Sequence, residues 1–246
     1  NIKRVHQRKK QITEDEIPEF GILFNYLGVF YQRRLNNEMA LHFHEKGLNI
    51  NRKFKVPARS LLFSMNNVAA DYSLFGMQNK AIELLKEAEY IALRTSPVNE
   101  INLGIIYDTL GKVLIKNGDF CKAREYLGKV VVIRAKNMAG SSMHAESILH
   151  LAQAEMKLKH FETAKNWAEN LVSMKIDLIK NQPQISFISE ALECILDICI
   201  ENGVLQELQG RYEALEDELQ RMILFHKINH NERIVQHLTK RLLLAK

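Results

Sequence analysis

An all-α stack of about five antiparallel helix pairs is the fold class this chain predicts, and three observations predict it. The first is an internal repeat: Ala40, Ala81, Ala123, Ala164 and Leu208 open equivalent stretches, spaced 41, 42, 41 and 44 residues apart. Around each anchor one pattern recurs, and it shows best as Tyr107, Leu110, Gly111 and Leu114, then Gly118, Ala123, Leu127 and Val130. A repeat of this size is one supersecondary unit, which buries its apolar face only against its neighbours. The second observation is that both halves of each unit carry apolar residues at three- and four-residue spacing, the signature of amphipathic helices. The third is punctuation. Gly76, Gly118 and Gly203 each stand five residues before an anchor, where glycine can reverse the chain after a helix.

Taken in order, the first unit predicts helices near residues 22–34 and 38–49, and the second near 61–74 and 80–93. The third predicts 101–116 and 121–135, the fourth 142–158 and 161–175. The fifth opens near 186–201 and continues from about 205. Leu35 and Lys159 stand where the other units have a turn glycine. Pro57, Pro97 and Pro183 fall in the longer links between units, because proline cannot continue a helix. Gly28, Ala69, Gly111, Ala152 and Leu196 share one place on the first helix of each pair. There the anchor alanines of the second helix are expected to face them, letting the two helices approach closely. Leu196 opposite Leu208 predicts a wider fifth pair.

Composition narrows the function classes. The chain has 246 residues, 46% of them hydrophobic, with only 4 prolines and 11 glycines. That mix suits a helical soluble protein, and no run approaches the ~18 apolar residues of a membrane span. The basic N-terminus has no apolar stretch after it, so no secretory signal is read there. The formal net charge of +5 resides in residues 1–10, where Lys3, Arg4, Arg8, Lys9 and Lys10 have no acid among them. The remainder sums to zero, so no basic stripe for nucleic acid is expected. Arg52, Lys53, Lys55 and Arg59 around Pro57 read as a solvated link. Cys121, Cys194 and Cys199 have no framework spacing and are expected to pack as small core hydrophobes in a reducing, cytoplasmic compartment.

The residues carry a family resemblance. Phe24, Leu27, Gly28 and Tyr31 followed by Ala40, and Tyr107, Leu110, Gly111, Gly118, Asp119, Phe120 and Ala123, resemble the tetratricopeptide repeat over roughly residues 21–222. The usual repeat is shorter by about seven residues. The longer form is similar to repeats of bacterial signalling regulators and of kinesin light chains. The resemblance implies a right-handed superhelical solenoid whose inner wall comes from the first helix of each pair. Groove-facing positions then lie three residues before the small residue, one after it, and a turn beyond. These give Asn25, Asn66 and Asp108; Val29, Lys112, Gln153 and Asp197; and Gln32, Arg33 and Ser73. An amide offers both a donor and an acceptor, so Asn25 and Asn66 could grip an extended peptide backbone; equally, asparagine on a half-exposed face can simply meet water. The lysine and asparagine pattern of a two-carboxylate clamp is not reproduced in adjacent units.

No catalytic motif appears. There is no phosphate loop, no Gly-x-Ser-x-Gly elbow and no His-Glu-x-x-His helix. His226, His230 and His237 share a helical face, and His42 and His44 lie close in sequence, but neither set has the further ligands zinc requires. Neither cofactor nor metal is therefore expected. Three segments follow: a basic helical stretch over 1–20, the solenoid over 21–222, and a capping or connector helix over 223–246. The leading functional expectation is a protein- or peptide-binding sensory module of a larger bacterial signalling protein. By resemblance, its output domain would be a diguanylate cyclase, a histidine kinase or a DNA-binding domain. The alternative is a constitutive scaffold that homodimerises through the C-terminal helix without a ligand. A phosphatase regulator of the repeat-containing type would need an N-terminal bundle that residues 1–20 are too short to form.

Overall fold

The computed structural model describes residues 17–168 and 170. Every regular element among them is α-helical. Helices α1 (Glu19–Arg33), α2 (Asn37–Lys53), α3 (Ala58–Leu74), α4 (Gln78–Arg94) and α5 (Glu100–Asn117) lie in one compact unit ending at Gly118. Helices α6 (Phe120–Met138) and α7 (Ser142–Lys157), with further helical residues at 161–168, belong to a second unit that begins at Asp119. These boundaries match the predicted helices within a few residues. The expectations for the fifth pair, for residues 1–16 and for the C-terminal helix lie outside the described residues.

Local chemistry explains where the helices start. The side chain of Asn36 accepts from the Met39 amide, that of Asn99 from Asn102, and that of Ser141 from His144, each satisfying one of the unpaired N–H groups at a helix start. Pro57 and Pro18 occupy the N-cap positions of α3 and α1, where a missing N–H costs little. Gly118 ends α5 in the left-handed region at φ 82°. Leu35 and Lys159 adopt the same left-handed conformation at φ 59° and 62°, so the first and fourth turns keep the geometry without the residue that favours it. Leucine and lysine pay about 1 kcal/mol for that conformation, and the packing of the flanking helices carries the cost.

In the first unit, α1 packs on α2, α3 on α4, and α5 on both α3 and α4, while α2 lies against α3. Ala40, Ala69, Ala81, Met65, Leu85 and Leu110 are fully buried and form its core. The close approach expected at Gly28 is real, but its partner differs: a Cβ there would overlap the imidazole of His44, not the Ala40 methyl. Gly47 marks a second close approach, where a Cβ would sit 2.9 Å from the carbonyl oxygen of Gly21. In the second unit, Ala123, Leu127 and Val130 of α6 share a core with Ala145, Ile148 and Ala152 of α7. Arg134 is buried and donates through Nη1 to the Met143 carbonyl at 2.6 Å.

One expectation is corrected. Cys121 is exposed, not a core residue. It falls on the outer side of α6 with Lys122, Arg124 and Glu125, and the anchor Ala123 turns inward in its place. Cys194 and Cys199 lie outside the described residues. No helix among the described residues is long and apolar enough to cross a membrane.

Candidate functional site

Helices α1, α3 and α5, the first helices of successive repeats, line a cavity of about 480 Å³ in the first unit. Ile22 and Tyr26 come from α1, Leu62 and Phe63 from α3, and Ile101, Ile105 and Ile106 from α5. Three of these share one register. Ile22, Phe63 and Ile105 each stand six residues before the small residue of their helix, so the stacking of equivalent helices lines them up as an apolar ladder. Among the described residues of the lining, Arg59 is the one that carries a charge. Ser60 and Asn102 supply the remaining polar groups beside two asparagines.

Those asparagines belong to a buried network. Ser64 Oγ accepts from Asn25 Nδ2 at 2.7 Å and from Asn51 Nδ2 at 2.6 Å, and donates to the Ser60 carbonyl at 3.0 Å. Asn25 Nδ2 also donates to the Gly21 carbonyl at 2.7 Å. The hydroxyl is thereby saturated, with one donated and two accepted bonds. Both amide oxygens remain without a hydrogen-bond partner. Desolvated acceptors of this kind are uncommon in native interiors.

A second buried polar contact lies two turns along the same helices. The Nδ1–H of His44 donates to Asp71 Oδ2 at 2.6 Å, with both side chains inaccessible to solvent. Beside it, the Tyr72 hydroxyl donates to Glu45 Oε1 at 2.8 Å. Burial, reinforced by the Glu45 carboxylate, pushes the Tyr72 pKa up to about 12. In the second unit His144 is held below the usual histidine range, first by burial and then by the positive charge of Arg134.

The sequence-predicted groove residues disperse. Asn25 alone among them lines the cavity, yet it is 2% exposed and its amide nitrogen is committed to Gly21 and Ser64. Asn66 is half-buried with its Oδ1 enclosed. Ser73 is buried, and so is Asp108, whose carboxylate pairs with Lys112 at 2.9 Å. Val29 and Gln32 are half-buried and Arg33 is exposed. Gln153 is half-buried on α7, in the second unit, and Asp197 lies outside the described residues. Sequence reasoning passed over Ile22, Phe63 and Ile105 because it searched the register for polar groups. The signal was present as three large apolar side chains at one repeat position. His42 is exposed while His44 is spent on Asp71, so these two do not converge.

No family model matches the chain. Among curated proteins, a Xenopus laevis outer dynein arm-docking complex subunit 4 is 30% identical over 157 residues, and its Danio rerio counterpart is 23% identical over 159. Each match covers 63% of this chain but only 28% and 31% of those proteins, so the chain spans less than a third of either relative. Among solved structures, the nearly identical TPR-like repeats of Podosopora anserina superpose with a TM-score of 0.67 at 22% identity, covering 85% of this chain and 99% of that one. BtubC from P. vanneervenii gives 0.71 at 15% identity, covering 82% of each chain. The chain has the tetratricopeptide-repeat fold. A Rap protein solved in complex with competence and sporulation factor shares it at a TM-score of 0.60 and 14% identity, covering 95% of this chain and 68% of that one.

Proposed function

We propose that this chain is a protein-binding repeat module that docks a peptide segment by an apolar side chain in the cavity on α1, α3 and α5. The observation that carries the reading is the ladder of Ile22, Phe63 and Ile105 over a cavity of about 480 Å³, a size that suits side-chain anchoring. Binding energy at such a site comes from burying a few large anchors, so the half-exposed Phe63 is its energetic centre. Of the groove residues expected from register, Asn25 lines the pocket, so recognition in this reading rests on the apolar lining. Asn25 is buried, with its amide nitrogen committed to Gly21 and Ser64 and its oxygen enclosed, so in this reading it supports the pocket wall instead of gripping a peptide backbone. Two relatives are subunits of a docking complex, which favours a docking role within a larger assembly over a sensory input to an enzymatic output domain. The Rap structure with its bound factor supports the peptide-binding side of the reading. Nothing in it calls for catalysis.

A peptide-display selection tests it. Peptides selected against the 246-residue chain are expected to share a large apolar residue and to bind the Phe63→Asp variant at least about tenfold more weakly, a loss of about 1.4 kcal/mol. Peptides that bind wild type and Phe63→Asp equally would place recognition elsewhere.

A further inference from the structure

The outer face of α1 carries a second surface, which meets the cavity at Tyr26 and is otherwise built from different residues. Repeat register shows what this face is built to do. On α3, Ser64 and Asp71 stand five residues before and two after the small residue Ala69, and both are buried against the preceding pair. Ser64 is bonded to Asn25 and Asn51, and Asp71 to His44. The same positions on α1 are Leu23 and Phe30. Both are large and apolar, and they are 48% and 46% exposed, with Tyr26 between them at 66%. Where α3 carries buried polar groups, α1 carries half-exposed apolar ones, and an apolar helix face of this kind suits packing against another helix.

The face is also complementary to itself when reversed. Its apolar residues are arranged symmetrically about Tyr26 and Leu27, with Leu23 on one side and Phe30 on the other. Beyond them stand an exposed acid, Glu19, and an exposed base, Arg34, whose guanidinium lies 4.5 Å above the Phe30 ring. We propose that a second copy of this chain docks here, with the two α1 helices antiparallel about a two-fold axis through the Tyr26–Leu27 peptide. Leu23 of each copy then meets Phe30 of the other, and Glu19 meets Arg34, twice over. Self-complementarity of this kind is what a two-fold interface demands. Antiparallel pairing on this face repeats the arrangement of α2 against α3, and it sets opposite helix dipole ends side by side. One helix face per copy makes a small interface, below about 1,200 Å² in total, so the association belongs to the weak class. Tyr26 also borders the cavity, so the pairing narrows the cavity mouth on that side.

Sedimentation equilibrium of the 246-residue chain over a wide concentration range tests the pairing. A monomer–dimer equilibrium with a Kd of about 10–100 μM is expected. The Leu23→Glu/Phe30→Glu variant is expected to remain monomeric with unchanged circular dichroism. Glu19→Arg and Arg34→Glu are each expected to weaken the dimer about threefold to tenfold by setting like charges opposite each other. Combining the two restores it, because the swapped charges again meet their opposites. A chain monomeric at every concentration overturns the proposal. So does a dimer that persists in Leu23→Glu/Phe30→Glu, which would place association on another surface. A charge-swapped double variant no tighter than its singles overturns the antiparallel register. A monomer that dimerises only after residues 1–16 are removed overturns the pairing too, and gives the face to that segment.

Discussion

The junction where α2 meets α3 and the junction where α4 meets α5 are the same place in successive repeats, built from opposite materials. In the first, His44 and Asn51 of α2 meet Asp71 and Ser64 of α3, all buried and joined by hydrogen bonds. The equivalent residues of the second are Leu85 and Ala92 of α4, and Val113 and Ile106 of α5, equally buried and wholly apolar. The molecule thus carries its own substitution experiment. Both chemistries close the same helix-on-helix geometry, so the repeat needs buried volume at these positions and does not need polarity. Polarity brings directional bonds that tolerate one register only, and it leaves a large penalty whenever one partner is lost.

The strongest way to break the comparison is to remove one half of the polar contact. Asp71→Val alone, or His44→Ala alone, is expected to cost about 3–5 kcal/mol in urea denaturation, because the surviving partner stays buried without its bond. Copying the second junction outright, as His44→Leu/Asp71→Val, is expected to fall within about 1 kcal/mol of wild type, or above it. A double variant as unstable as its singles would show that the polar junction has a different geometry from its apolar counterpart. A smaller effect sharpens the same point. Gly28→Ala drives a methyl into the His44 ring and is expected to cost about 1–3 kcal/mol. Most of that cost should vanish in a His44→Ala background, since the methyl then enters vacated space. Additive costs would mean that His44 is not what Gly28 makes room for.

The smallest expected effect lies in the second unit and concerns pH. Burial and Arg134 hold the His144 pKa below its ordinary value, so the unfolded chain takes up a proton at a higher pH than the folded one. Stability from this residue is therefore fully present above about pH 6.5 and falls as the pH drops from there towards the folded pKa. The 246-residue chain should lose thermal stability over that interval, and His144→Gln should lose less of it. An identical pH profile in the two proteins would remove His144 from the account.

Much of the fold was legible because helical repeats are local. Each helix is specified within its own residues by an apolar period and a turn, with a capping asparagine or serine at α2, α5 and α7, so the alanine anchors sufficed to bring α1 to α7 into register. Even Leu35 and Lys159 could be assigned to turns from their place in the repeat, although neither residue favours the conformation it adopts. The site was less legible. Exposure depends on how helices distant in sequence stack, and a shift of three residues along α1 separates the buried Asn25 from the half-exposed Ile22. Reading polarity as a sign of exposure moved Asn25, Ser73 and Asp108 to the surface, whereas the interior holds them.

The sequence by itself determined the all-α repeat architecture, the helix boundaries and the close approach at Gly28, because these follow from spacing, propensity and turn chemistry within some forty residues. Only the tertiary structure decided that the small residue Gly28 accommodates His44, that Asn25 and Asn51 bind Ser64 inside the protein, and that Ile22, Phe63 and Ile105 open together onto a cavity. The reason is physical. A polar side chain goes inside when a partner waits there to satisfy it, and that partner is set by residues a helix or more away, beyond the reach of any local pattern.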